Sequence, residues 1–230
     1  MGSDEVIGAW LARFLRRRHG GETEAQKAQP DRAAAIGGVG EALVAGRLRE
    51  MGWPVFRNVV LREQGGSTEI DILARAPCGL FVLEVKTWSG RIDGTASAAS
   101  WTRHGWGGRV VTVPNAVRQN LAHVVAVERA IGDRMVRVRG TVVSAGHARF
   151  APELRAHVVS EAAMADVLLG AASGAPVEPW RLEEAWAALG REAARSPALR
   201  AGHIAWLKTR SATEHGLSGE ASQELGEDDE

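Results

Sequence analysis

Thr68-Glu69-Ile70-Asp71-Ile72-Leu73-Ala74-Arg75-Ala76-Pro77-Cys78-Gly79-Leu80-Phe81-Val82-Leu83-Glu84-Val85-Lys86 reads as one β-hairpin. Ala76-Pro77-Cys78-Gly79 suits a type I turn, with proline at the second position, where its fixed φ fits, and glycine at the fourth. If Ala76 faces Gly79, then Leu73 faces Val82, Asp71 faces Glu84 and Glu69 faces Lys86. Directly opposed residues on one face of a strand pair have Cβ atoms roughly 5 Å apart, close enough for two carboxylates to grip one cation. Side chains alternate along a strand, so Ile70, Ile72, Ala74, Phe81, Leu83 and Val85 are expected on the other face, as core.

Opposed carboxylates repel, and a strand pair seldom carries that cost uncompensated. Lys86 shares a face with Glu84 and supplies one positive charge. A divalent cation bound through oxygen, Mg²⁺ or Mn²⁺, is the expected second. The alternative is a purely structural ion network among Glu69, Asp71, Glu84 and Lys86. Lysine usage bears on the choice: the chain has 25 arginines and three lysines, Lys27, Lys86 and Lys208, yet places an ammonium here. A lysine can lower its pKa and help orient or deprotonate a water, which arginine cannot.

Working outward, residues 33–51 read as a helix, and residues 54–62, 68–75 and 80–87 as strands. On the first helix Glu41 shares a face with Val44, Ala45 and Leu48, so this acid should point inward. Residues 88–110 read as a loop rich in glycine and tryptophan. There Trp88, Trp101 and Trp106 stand among Arg91, Arg103, His104 and Arg109, a mixture suited to stacking on bases and contacting phosphates. Rings packed beneath a loop are the alternative. Asn115 is placed as the N-cap of a helix through Ile131, with Arg118 and Gln119 in its first turns. Strands are expected at 135–144 and 157–160, and helices at 161–169, 178–189 and 197–208. His123, His147 and Cys78 have no partner at ligand spacing and are read as structural.

The chain's 230 residues suffice for one α/β domain with extensions. Its net charge of zero conceals a division: residues 37–150 carry +6 and residues 151–230 carry −7. The basic middle permits contact with phosphate backbones. One cysteine excludes an internal disulfide and fits a reducing, cytoplasmic setting. The apolar segment at residues 6–15, with Trp10, Leu11, Phe14 and Leu15 near one helical face, is too short to span a bilayer. Its acids precede and its arginines follow, the reverse of a secretory signal, so an arm with some capacity for membrane-surface or protein docking is expected. The resulting organisation is an arm and linker at 1–32, a core at 33–145, a C-terminal strand and helices at 146–210, and a disordered acidic tail at 211–230.

Gly40-Glu41, Glu69-Ile70-Asp71, the run Gly79-Leu80-Phe81-Val82-Leu83-Glu84-Val85-Lys86-Thr87-Trp88-Ser89-Gly90, and Gln119 resemble the NERD (nuclease-related) domain of the restriction-endonuclease-like PD-(D/E)xK superfamily. The resemblance covers residues 36–131. It implies a restriction-endonuclease-like α/β core, a central mixed sheet flanked by helices, with additional C-terminal helices. Asp71 and Glu84 would be metal ligands, Glu41 a further metal-side acid, Lys86 the residue that positions or activates water, and Gln119 a contact to metal-bound water or phosphate. The family's Asn-Pro is here Asn115-Ala116, with proline displaced to Pro114, so a slightly different helix start is expected. The implied activity is Mg²⁺-dependent hydrolysis of DNA phosphodiesters, with Trp88, Arg91, Trp101, Arg103, Arg109 and Arg118 facing the nucleic acid. The competing expectation is a non-catalytic module that binds nucleic acid or protein.

Overall fold

The computed structural model describes residues 29–63 and 66–220. The apolar segment read at residues 6–15 and the end of the tail, 221–230, lie outside the described residues. In chain order the elements are α1 (Gln29–Glu50), β1 (Val55–Glu63), β2 (Gly66–Ala76), β3 (Gly79–Lys86), β4 (Gly90–Asp93), β5 (Ser100–His104), β6 (Val110–Pro114), α2 (Ala116–Ile131), β7 (Val138–Ser144), β8 (Ala148–Phe150), α3 (Pro152–Arg155), β9 (Val158–Ser160), α4 (Met164–Ala172) and α5 (Pro179–Glu220). The class is mixed α/β, as expected.

The central sheet runs β1-β2-β3-β7-β9. β1, β2 and β3 pair antiparallel, while β3, β7 and β9 pair parallel. β3 is its middle strand and is buried from Gly79 to Val85, which explains why its sequence is a nearly unbroken apolar run. On one face of the sheet, Val44, Ala45 and Leu48 of α1 and Met164 and Leu168 of α4 pack on Ile72, Ala74, Phe81, Leu83 and Val85. On the other, Ala126 and Val127 of α2 and Leu182, Ala185 and Leu189 of α5 pack on Leu73, Leu80 and Val82. Gly40 brings α1 close: a Cβ there would collide with Thr87 Cγ2, just past β3.

The hairpin turn forms as read. Ala76 pairs with Gly79 and Leu73 with Val82. Gly79 has φ 139°, and the Arg137 carbonyl lies where its Cβ would stand, so both backbone conformation and space require glycine. Ile70 departs from expectation. It packs with Leu73 and Val82 on the opposite face, because the alternation slips between residues 70 and 72.

Residues 88–110 are not a plain loop. They contribute β4 and β5 to a second sheet ordered β6-β5-β4-β8. These strands are only four and five residues long, too short to show an alternating pattern. A third core holds the sheet, joining Ile92 and Trp101 to Ala116, Val142, Leu154 and Val158 from distant parts of the chain. The two helices read at 178–189 and 197–208 are one, α5, which runs through Pro197 and on to Glu220, into the stretch that composition assigns to the tail. An interior proline removes a hydrogen bond and costs a helix about 3 kcal/mol. Side chains flanking this one compensate by bonding to the sheet: Ser196 Oγ accepts from the buried Val60 amide at 2.8 Å. Among the described residues, no helix is long and apolar enough to cross a membrane.

Candidate active site

The β2–β3 ladder stops after Ile72 pairs with Leu83. At the next step Asp71 turns its side chain to the neighbouring strand, and its Oδ2 accepts from the Val85 amide at 2.9 Å. Beyond this point β2 continues with β1 alone, so Glu69 does not face Lys86. It pairs instead with Val60 and meets Arg200 at 3.0 Å. The paired part of the hairpin therefore ends one step before the two carboxylates.

Glu84 is fully buried. Its Oε1 accepts a charged hydrogen bond from Lys86 Nζ. Its Oε2 lies 3.2 Å from His123 Nδ1, yet neither of these two buried atoms completes an aligned hydrogen bond. Burial works to raise the Glu84 carboxyl, but Lys86 and then His123 override it and hold it at about 2. Asp71 goes the other way. Burial, and then the charge of Glu84, push its carboxyl well above the usual carboxylate range, with Lys86 and the Val85 amide only partly offsetting them. Two acids side by side thus sit in opposed environments, one satisfied and one short of positive charge.

Lys86 is held from three directions. Its Nζ bonds Glu84, donates to Gln119 Oε1 at 3.2 Å, and lies 5.6 Å from the centre of the Trp88 ring. Gln119 therefore touches the lysine. It is placed by the start of α2, where Asn115 Oδ1 accepts from the amides of Val117 and Arg118 at 2.9 and 3.1 Å. The buried Asn115 amide group also donates to the carbonyls of Ala96 and Ala98 at 2.8 and 2.6 Å. One asparagine thus caps the helix and ties it to the loop before β5, so that α2 begins at Ala116 with proline left in β6.

Glu41 points toward the sheet above Val44, Ala45 and Leu48, as its helical phase requires, and ion-pairs with Arg57 at 3.2 Å. Arg57 also donates to the Gly38 carbonyl at 3.2 Å. Among the described residues no three His, Cys, Asp or Glu side chains converge into a metal-sized set. Glu41 lies close enough to add its charge to the field on Asp71. Two oxygen-donor carboxylates, Asp71 buried beside another negative charge and Glu84 with a buried oxygen lacking a hydrogen bond, still fit Mg²⁺, which takes one or two carboxylates and completes its shell with water or phosphate.

The residues expected to face nucleic acid divide. Trp101 is 1% exposed and donates from Nε1 to the Thr95 carbonyl at 2.8 Å, so it is a core ring and presents no face. It supports half-buried Trp88 edge to face at 6.1 Å. Arg91 is exposed and pairs with Asp93 at 2.7 Å, Arg103 is half-buried, and Arg109 is exposed. Arg118 is half-buried in the first turn of α2. Trp106, on the short turn between β5 and β6, is 90% exposed.

Sequence reasoning missed His123 and Arg57. His123 follows Gln119 by four residues, hence one helical turn along the face that meets β3, and this spacing was the available signal. Arg57 carried no local signal, since only the β1–β2 pairing brings it beneath Glu41.

Residues 36–145 match the family model of the NERD domain, described as the nuclease-related domain. An uncharacterized protein of Bacillus anthracis is 35% identical over 103 residues, 43% of this chain. The match spans 48% of that relative's own length. No solved structure matches the chain. The site lies within the matched segment, residues 36–145, which is similar to the nuclease-related domain.

Proposed function

We propose that the protein is a Mg²⁺-dependent nuclease that cleaves DNA phosphodiesters. The observation that carries this reading is the set at the open end of the hairpin: Asp71 and Glu84 adjacent, with Lys86 Nζ fixed between Glu84 and Gln119. Asp71 and Glu84 would hold the cation, which when bound polarises the phosphate and makes hydroxide available near neutral pH. Lys86 orients the attacking water and stabilises charge developing on the phosphate. Gln119 and Trp88 keep the ammonium in place. Glu41, drawn back by Arg57, contributes negative charge behind Asp71. Exposed Arg91 and Arg109 supply phosphate contacts, and the half-buried Trp88 a surface for a base.

The test incubates purified protein with plasmid and single-stranded DNA in Mg²⁺, Mn²⁺ or EDTA, alongside Asp71→Ala and Lys86→Ala. Cleavage that needs the cation and disappears in both variants is the expected result. Cleavage that survives both substitutions refutes the assignment.

One observation favours a second reading, a non-catalytic module that binds nucleic acid. Both oxygens of Glu84 already face protein groups, Lys86 and His123. That reading predicts salt-sensitive DNA binding with no calorimetric signal for Mn²⁺.

A further inference from the structure

Asn58 adopts φ 54°, the one positive-φ residue other than glycine among the described residues. It lies in β1 between the pairs Arg57–Ile72 and Val59–Ile70, and so stands directly across from Asp71. The left-handed conformation is strained for any side chain, though asparagine tolerates it better than most, and it persists where surrounding contacts hold it. Here it moves the core from even to odd positions of β1: Phe56 before it and Val59 after it pack in the same cluster. The matching slip in β2 places Leu73 and Ile70 in that cluster too. The kink in β1 and the break in β2 at Asp71 are thus one feature, shared across the ladder.

The contacts that hold it come from α5, beyond the segment 36–145 that matches the family. Three side chains on one face of this helix, at spacings of four and three, reach polar groups of β1 and β2. Ser196 Oγ accepts from the Val60 amide at 2.8 Å. Arg200 donates to the Asn58 carbonyl at 2.5 Å and, through Nε, to Glu69 Oε1 at 3.1 Å. His203 Nδ1 meets Ser67 Oγ at 2.7 Å. A guanidinium is the side chain that can bridge a carbonyl and a carboxylate at once, with fixed angles between its donors.

We propose that Arg200 is a positioning residue of the site: by holding the Asn58 carbonyl and the Glu69 carboxylate together, it sets where β1 and β2 carry Asp71. The C-terminal helix is then part of the working unit. The effect on cleavage rests on the nuclease reading above, whereas the anchoring of Asp71 does not.

The test uses the full chain, with Arg200→Ala, Arg200→Lys and, as a destabilised control, Leu189→Ala, which opens a cavity higher on the same helix. The first readout is hydrogen exchange at the Val85 amide, whose donor rests on Asp71 Oδ2. Arg200→Ala is expected to speed that exchange by about tenfold beyond what Leu189→Ala does, with Arg200→Lys between it and the wild type. The second readout is kinetic: kcat for DNA should fall by about 10- to 100-fold with KM nearly unchanged, because the site is misplaced while the contacts to DNA remain. Should Arg200→Ala fail to fold, Arg200→Lys carries the comparison. A Val85 amide that exchanges no faster than in the control overturns the proposal. If the wild type cleaves nothing and the Val85 amide still responds, the nuclease reading falls and the anchoring stands.

Discussion

The β2–β3 hairpin has two ends that obey different rules. At the turn end, from Ile72 to Ala76 and Gly79 to Leu83, every residue has its cross-strand partner and the side chains are almost all apolar core. At the open end the ladder is lost within one residue, and side chains arriving from α1, α2, β1 and α5 take its place around Asp71, Glu84 and Lys86. The closed end is rigid because local pairing and burial agree. The open end uses that rigidity to hold like charges side by side, where pairing alone would drive them apart.

Substitutions that separate the two ends sharpen this contrast. The largest effect on activity is expected from Glu84→Gln, which removes the charge that fixes Lys86: cleavage should fall by about a thousandfold in a plasmid assay, the scale of losing a preorganised electrostatic partner. At the closed end Phe81→Ala should cost about 3–5 kcal/mol in urea unfolding, while cleavage per folded molecule stays at the wild-type level. Loss of activity as large as loss of stability there would erase the division. His123→Ala should weaken Mn²⁺ affinity and cleavage by about 10- to 100-fold, as when a partner behind a ligating carboxylate is lost. Unchanged calorimetry for that variant would make the histidine mere packing.

The pH dependence of stability divides the same pair of acids. Asp71 has a raised carboxyl in the fold, so it lends stability below the ordinary aspartate value of about 3.9 and withdraws it as pH rises through the folded value. At neutral pH without divalent cation, Asp71→Asn should therefore raise the thermal midpoint by a few degrees, and that gain should vanish in acid. Glu84, held at about 2, behaves oppositely, giving stability above the ordinary glutamate value that is lost as pH falls toward 2. The smallest effect is expected at the rim: Trp106→Ala should reduce single-stranded DNA affinity by about 1–3 kcal/mol if its ring stacks on a base, with stability within about 0.5 kcal/mol of wild type.

The closed end was legible in the sequence because its signals are local. Proline and glycine at fixed places in the turn determine the register as far as Ile72–Leu83, one step short of Asp71 and Glu84. Asn115 announced its helix for the same reason: a cap acts within three residues. What could not be read depends on partners remote in the chain. Trp101 became core because Val142, Leu154 and Val158 close over it. Pro197 failed to end its helix because the sheet holds the residues around it. Glu69, predicted opposite Lys86, went to Arg200, which lies 131 residues away.

Gly40 sets the depth at which α1 seats on the sheet, since its bare α-carbon lies against Thr87. A single methyl group there acts as a shim. To clear Thr87 and Ala145, either those side chains or the helix would have to shift, and a shift of the helix would carry Glu41 with it. The chain is thereby sensitive to thickness at a position that bears no chemistry of its own, and a smaller residue than the one present does not exist.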